Sequence, residues 1–244
     1  MRVVAVIQAR MGSTRLPGKS LVRLGGIPLI DHVVTRACHA RRVDEVIVAI
    51  PSLHEDDILA GHIRERGLVA VYRGSSDDVL GRMLGAAQSL DGDIVVRLTA
   101  DDPFKDPRII DLLIEKLLEE SRFAFATNVD SQRFPEGLDV EVVRIDALQS
   151  IASRSLRPYD REHVTAAFYD RPKEFPSYSL SWPEDLISWR LTLDTPLDRV
   201  FLDAVALELQ RQGVGYDLQS LITLIRGESE LFSMMPQSTR RRGQ

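Results

Sequence analysis

The chain of 244 residues has one cysteine, Cys38, so no disulfide can form within it. Cys38 falls beside Val33, Val34 and Ala37 on the apolar side of an expected helix, which reads as a buried structural thiol rather than a nucleophile. No segment approaches the roughly 18 apolar residues of a membrane span. The N-terminal apolar run stops at Arg10, too short for a secretory signal, so a cytoplasmic, membrane-free protein is expected. Positive charge is not in excess either: 31 Lys and Arg against 36 Asp and Glu leave a net charge of −5, with a pI near 5.6. That excludes a general nucleic-acid binder, whose affinity comes from clustered cations. The basic run Arg240-Arg241-Arg242 sits in a polar end segment and reads as a solvated, flexible tail over 236–244. Five scattered histidines offer no zinc spacing, and nothing resembles a serine–histidine–acid set.

What is present is an alternation of strand and helix patterns. Apolar runs over 3–9, 45–50, 68–72 and 93–99 read as strands. Amphipathic stretches over 28–40, 55–66, 77–89 and 107–120 read as helices, the third capped by Ser75 or Ser76. Nearly continuous apolar strands between helices imply a mainly parallel sheet covered on both faces, an α/β protein. The second half is less regular, with strand patterns over 123–127, 138–144, 178–182 and 188–194 and helices over 196–212 and 217–227. One domain over 1–235 is expected, with a smaller antiparallel excursion near 128–180 that covers a substrate or pairs two subunits.

In open parallel sheets, ligands sit beyond the carboxyl ends of the strands. The first strand runs into a loop carrying Arg10, Arg15 and Lys19 with Gly12, Pro17 and Gly18 and no acidic residue. Each cation alone reads as a solvated surface charge; three together directly after a buried strand read as a place for an anion. Gly18-Lys19-Ser20 suggests a P-loop, but the glycine that motif needs five positions earlier is Ser13, Gly12 is one residue too early, and the next helix starts near Pro28 instead of at Lys19. Two acidic spots end later strands. Asp101 and Asp102 precede Pro103, and Asp194 opens Asp-Thr-Pro. Turn opening and helix capping account for each taken singly; facing the cationic loop together, they make the charge pattern of a metal–phosphate site. Asp198 reads as a helix-surface charge.

Six stretches, IQARMGSTRLPGK (7–19), YRGSSDDVLGR (72–82), VRLTADDP (96–103), FPEGLDVEV (134–142), REHVT (161–165) and LTLDTPLDRV (191–200), resemble the cytidylyltransferases of acidic sugars. These include the Kdo and acylneuraminate enzymes, and most closely their relatives of the spore-coat polysaccharide (SpsF) type. The resemblance implies a Rossmann-like three-layer nucleotidyltransferase fold, often a homodimer, and Mg²⁺-dependent transfer of a cytidylyl group from CTP to a sugar acceptor, expected to be a keto-sugar acid. It places Ala9, Arg10, Gly12, Ser13, Arg15 and Lys19 at the nucleotide, with Arg73 and Ser75 lining the base pocket. Arg15, Lys19 and Asp101 become the catalytic set, and Asp101 and Asp194 the metal carboxylates, Asp102 ranking below them. Asp139, Glu141, Arg161 and His163 become sugar contacts; their plain readings are a solvated strand face for the two acids and a capping or core role for His163. The sequence departs from the Kdo pattern at Thr99 and Ala100, where those enzymes carry glutamine and glycine. Two other readings stand beside this one: a sugar-phosphate nucleotidyltransferase using another NTP, and a nucleotide-binding regulatory protein without turnover.

Overall fold

In a computed structural model of the chain, residues 1–154, 156–213, 215 and 217–238 are described; Arg240, Arg241 and Arg242 lie outside them. The elements follow in chain order: β1 (Val3–Gln8), β2 (Arg23–Leu24), β3 (Ile27–Pro28), α1 (Leu29–His39), β4 (Glu45–Pro51), α2 (Asp57–Arg66), β5 (Ala70–Gly74), α3 (Val79–Gln88), β6 (Ile94–Thr99), α4 (Pro107–Glu119), β7 (Phe125–Thr127), β8 (Glu141–Arg144), α5 (Ile145–Ala152), α6 (Pro158–His163), α7 (Ala166–Tyr169), β9 (Ser177–Ser179), α8 (Pro196–Gln212), α9 (Leu218–Gly227) and α10 (Ser229–Met234). Single 3₁₀ turns cover Lys19–Leu21 and His54–Asp56.

Seven strands form one sheet in the order β5-β4-β1-β6-β8-β7-β9. β5, β4, β1 and β6 are parallel, β8 is antiparallel to β6 and β7, and β9 is parallel to β7. The expected mainly parallel sheet is therefore present. The 128–180 segment contributes β8 and β9 to this same sheet, with β8 directly beside β6.

Alternation along β1 builds both layers. Val3, Ala5 and Ile7 join the core under α1, α4, α8 and α9, whereas Val4 and Val6 join the core under α3, α5 and α7. Period-2 alternation in a strand covered on both faces gives this continuous apolar run. Among the described residues no helix is long and apolar enough to cross a membrane.

Local chemistry sets the helix starts. Thr195 and Asp198 form a reciprocal capping box ahead of Pro196 at the start of α8. The cap of α3 is Asp78, whose Oδ1 accepts from Gly81 N at 3.0 Å, and not Ser75 or Ser76. Ser75 Oγ instead accepts from the amides of Asp77 and Asp78 in the preceding turn.

Three further expectations need correction. Among the described residues the segment 188–194 makes only isolated bridges, Arg190 with Glu136 and Trp189 with Gln237. Its apolar residues are buried, but so are Arg190 and Thr192, because the segment is enclosed on both sides and has no regular strand neighbour. Cys38 is exposed, just off the buried stripe of α1. In the end segment, Gln237 bridges Trp189 and Ser238 N donates to Ser188 O at 3.0 Å, so 237–238 are held against the body.

Candidate functional site

β1 and β6 are adjacent and parallel, so the loops after Gln8 and Thr99 open side by side at their carboxyl ends. A cleft of about 290 Å³ lies there, lined by Gln8, Ala9, Arg10, Ser13, Thr14, Arg15, Lys19, Ser20, Val79, Arg82, Arg97, Thr99, Ala100, Asp101, Glu162, His163 and Asp194. The β1 loop is anchored from below: Met11 N donates to Asp56 Oδ1 at 2.6 Å, and Ser20 Oγ to the Arg10 carbonyl at 2.9 Å. Only a 3₁₀ turn follows Lys19, and α1 begins at Leu29, so the loop does not run directly into a helix as a P-loop does.

Lys19 is the centre of the cleft. Its Nζ donates to Asp101 Oδ2 at 2.8 Å and to Asp194 Oδ1 at 2.9 Å. Arg15 Nη2 reaches the other Asp194 oxygen at 3.1 Å. Burial pushes the Lys19 ammonium down, but Asp101 and Asp194 reverse this and hold it above the usual lysine value. For Asp101, burial pushes up and Lys19 pulls down, and the net effect lies below the usual carboxylate range.

Asp194 is held by its surroundings although it lies outside the sheet. Leu193 N donates to the Asp101 carbonyl at 2.9 Å, tying the two acidic segments together through the backbone. Behind Asp194, the buried Arg190 contacts Glu136, Asp194 and Asp198. Asp198 is 2% exposed and is not the surface charge expected of it. Its Oδ2 accepts from the amides of Asp194 and Thr195. Burial raises the Asp198 carboxyl, and Arg190 and these amides bring it below the ordinary range. Asp102 is occupied inside the protein, accepting from Thr99 Oγ1 and from the fully buried Lys105, both at 2.7 Å.

The remaining sequence candidates divide. Ala9, Arg10, Ser13 and His163 line the cleft. Gly12 does not; a side chain there would meet the Glu55 carboxylate at 2.6 Å. Arg73 turns away, donating to the carbonyls of Pro51 and Leu53 and to Asp57. Ser75 borders the cleft indirectly, its carbonyl accepting from Arg82. Arg161 Nη1 donates to Asp78 Oδ2 at 2.9 Å, bringing α6 against the start of α3. Asp139 lies deeper, its carbonyl accepting from Lys105.

Glu141 is buried, not on a solvated face. It accepts from Arg97, from Thr165 Oγ1 at 2.8 Å and from Tyr169 Oη at 2.7 Å. Burial and Glu141 raise the Tyr169 hydroxyl far above its usual range. Val164, between His163 and Thr165, has φ 53°, a strained value for a β-branched residue.

Two cleft arginines were missed in the sequence. Arg82 lies on the buried side of α3 among Val79, Met83 and Ala86, and Arg97 interrupts the apolar strand β6. A lone arginine on an apolar helix face or in a strand covered on both faces was the available signal.

Comparisons with known proteins place the chain in a family. The SpsF spore coat polysaccharide biosynthesis protein of Bacillus subtilis (strain 168) is 34% identical over 233 residues, covering 91% of this chain and 93% of that protein. The 3-deoxy-manno-octulosonate cytidylyltransferase of Trichlorobacter lovleyi is 40% identical over 120 residues, 48% of this chain and 46% of that one. A solved cytidylyltransferase structure from Leptospira borgpetersenii serovar Hardjo-bovis superposes with a TM-score of 0.88 at 30% identity, covering 99% of this chain and all of that one. The sequence profile for cytidylyltransferases matches residues 4–224. That range spans β1, the cationic loop, both acidic segments and most of α9, and the chain belongs to the cytidylyltransferase family of nucleotidyltransferases.

Proposed function

We propose that the protein transfers the cytidylyl group of CTP to an oxygen of a sugar, a keto-sugar acid, with release of pyrophosphate and with Mg²⁺ as cofactor. The observation that carries the reading is the position of Lys19 Nζ between Asp101 and Asp194 at the carboxyl ends of β1 and β6. The family supports CTP as donor and a sugar-like acceptor. The acid is the finer step, taken from the likeness to the Kdo enzymes.

The donor set fits a hard divalent cation. Asp101 and Asp194 converge on one ammonium, so a single small cation is within reach of both. Mg²⁺ is commonly held by one or two carboxylates, with water and phosphate oxygens filling its shell. Among the described residues there is no group of three or more His, Cys, Asp or Glu that would form a closed cage. When bound, Mg²⁺ would neutralise phosphate charge and make the α-phosphorus more electrophilic.

The chain's own residues do the rest by position and charge. Arg10 steers the triphosphate into the cleft. Arg15 and Lys19 neutralise the charge that builds on the departing pyrophosphate. Glu162 and His163, on α6 beside the start of α3, also line the cleft and are assigned to the acceptor. The acceptor oxygen forms its bond to the α-phosphorus as the bond to pyrophosphate breaks in line, and no side chain is required as a covalent nucleophile. As in the family, we expect a homodimer, checked by light scattering.

The test is incubation with CTP, Mg²⁺ and a panel of keto-sugar acids and sugar phosphates, read by pyrophosphate release and by mass spectrometry. A CMP-linked keto-sugar acid is the expected product. Pyrophosphate release with UTP, GTP or ATP and a sugar phosphate, and none with CTP, would overturn the reading.

A further inference from the structure

Glu141 joins the floor of the cleft to the turn that ends α6. It sits opposite Arg97 in the β6–β8 register and accepts a hydrogen bond from that guanidinium. Arg97 Nε in turn donates to Gln8 Oε1 at 3.1 Å. Gln8 and Arg97 line the cleft, but among the described residues Glu141 stands behind them and not in the lining. Its other oxygen accepts from Thr165 Oγ1 and from Tyr169 Oη. Both carboxylate oxygens are thus engaged inside the chain.

The turn that Glu141 meets is strained. His163 closes α6, Thr165 precedes α7, and Val164 between them has φ 53° and ψ −62°. Thr165 N donates to the His163 carbonyl, which makes a γ-turn of the rare, positive-φ kind. A β-branched residue is disfavoured there, and such a conformation persists only where its surroundings over-determine it. Two features do so. Val164 is wholly buried in the core layer that holds Val79, Leu80 and Phe168. Thr165, also buried, donates to Glu141 at 2.8 Å and accepts from Arg97 at 3.4 Å. Consecutive residues therefore go to different places: His163 lines the cleft, whereas Val164 and Thr165 are enclosed. The chain reverses at Val164 alone, so relaxing its φ to a negative value moves His163 relative to Thr165. Earlier along α6, Arg161 ties the helix to Asp78 at 2.9 Å, which leaves the end at His163 dependent on the turn.

We propose that Glu141 is a positioning residue for the acceptor side of the cleft: through Thr165 it holds the Val164 turn and so sets the place of the His163 imidazole, without touching substrate itself. The proposal rests on the assignment of His163 to a keto-sugar acid acceptor.

The experiment is a double-mutant cycle on initial rates with CTP, Mg²⁺ and 3-deoxy-manno-octulosonate, using Thr165→Val, which removes the hydroxyl and keeps the shape. Thr165→Val should raise the acceptor KM about tenfold and leave the CTP KM within about twofold of wild type. In a His163→Gln background the same substitution should add less than about twofold, because Thr165 acts through His163. Thr165→Ser restores the hydroxyl and should recover most of the loss. Tyr169→Phe removes a bond to the same Glu141 oxygen but leaves the turn alone, so its acceptor KM should stay near wild type. Equal effects of Thr165→Val on both KM values, or full additivity with His163→Gln, would mean that the network only supports the fold and would overturn the proposal. If Thr165→Val does not fold, Glu141→Asp, whose shorter side chain draws back from Thr165, enters the same cycle. A second readout needs no acceptor: the ring Cε1–H NMR signal of His163, assigned by its loss in His163→Gln, and its Overhauser contact with Tyr159, the ring centroids being 4.2 Å apart. The signal should move and the contact weaken in Thr165→Val and not in Tyr169→Phe. Should the wild type convert no keto-sugar acid, the functional reading fails and the NMR comparison alone decides the positioning role. An unmoved His163 signal beside normal wild-type turnover overturns the positioning role and leaves the functional reading standing.

Discussion

Lys19 Nζ donates to Asp101 Oδ2 across 2.8 Å, and each group stabilises the charge of the other. The carboxyl of Asp101 lies below its ordinary value and the ammonium of Lys19 above its own. The depressed carboxyl contributes stability above its unfolded pKa of about 3.9, which is lost as pH falls through the folded value; the raised ammonium contributes below about 10.4, which is lost as pH rises through its folded value. Lys19→Met should therefore cost most between about pH 4 and pH 10. The pair is only partly enclosed, so the cost should be on the order of 2 kcal/mol, below the 3–5 of a fully buried pair. Urea unfolding at pH 3, 7 and 11 measures it, and a cost that does not vary with pH would refute the linkage. Turnover should fall about 10²–10³-fold, as when a preorganised charge is removed from a reacting site.

Asp101 and Asp102 are neighbours with opposite duties. Asp101 faces the cleft, and Asp102 accepts from Thr99 and the buried Lys105. Asp101→Asn and Asp194→Asn should weaken the divalent-cation dependence of CTP binding by on the order of 10–100-fold with modest loss of stability. Asp102→Asn should do the reverse, leaving cation dependence near wild type and costing about 3–5 kcal/mol through the uncompensated Lys105. Mn²⁺ titration followed by electron paramagnetic resonance, beside thermal melts, separates the two. A cation dependence that moves with Asp102 and not with Asp101 would reverse the assignment.

These contrasts mark how far the sequence could be read. The α8 boundaries were legible because Thr195, Pro196 and Gly213 carry local start and stop chemistry. The cationic loop after β1 was legible because charge follows directly on a buried strand. Segment 188–194 was misread because alternation reports which residues point inward, and both sides of this segment are enclosed. Asp198 was misread because its partner, Arg190, is met only after the chain turns at Thr195. Arg73 was expected at the base pocket, but its partners Pro51, Leu53 and Asp57 come from a neighbouring loop that no local pattern pairs with it. Arg82 carried a signal, a lone cation on an apolar helix face, whose meaning depends on a cleft that only the fold creates.

The Arg190 cluster sets the position of Asp194 from behind. Arg190 donates to Asp198 at 2.8 Å and to Asp194 at 3.0 Å and also contacts Glu136, while Asp198 accepts from two amides at the start of α8. Asp198→Ala removes one half of the capping box and a buried counter-charge together, and should cost about 3–5 kcal/mol. Asp198→Asn keeps the shape and one acceptor and should cost less. Chemical denaturation orders the two, and equal stabilities would show that the charge of Asp198 is not what holds Arg190.

Gly137 controls the same acidic segment from a different side. Its φ of 103° is a value that L side chains rarely adopt, and an added Cβ would meet the Leu191 backbone carbon at 2.5 Å and Thr192 N at 2.7 Å. These are main-chain atoms in the stretch leading to Asp194, so they cannot swing aside as a side chain would. Gly137→Ala should cost on the order of 3 kcal/mol from backbone strain and overpacking. It should also lower kcat at temperatures well below the melting point, because Asp194 shifts with Leu191. Gly213→Ala is the control. That glycine also has a positive φ, 65°, at the end of α8, but among the described residues nothing lies within 4 Å of the added Cβ. It should cost about 1 kcal/mol and leave kcat unchanged. If both variants lower kcat alike, the effect comes from general destabilisation; loss of turnover in Gly137→Ala alone ties the backbone at Leu191 to the placement of Asp194.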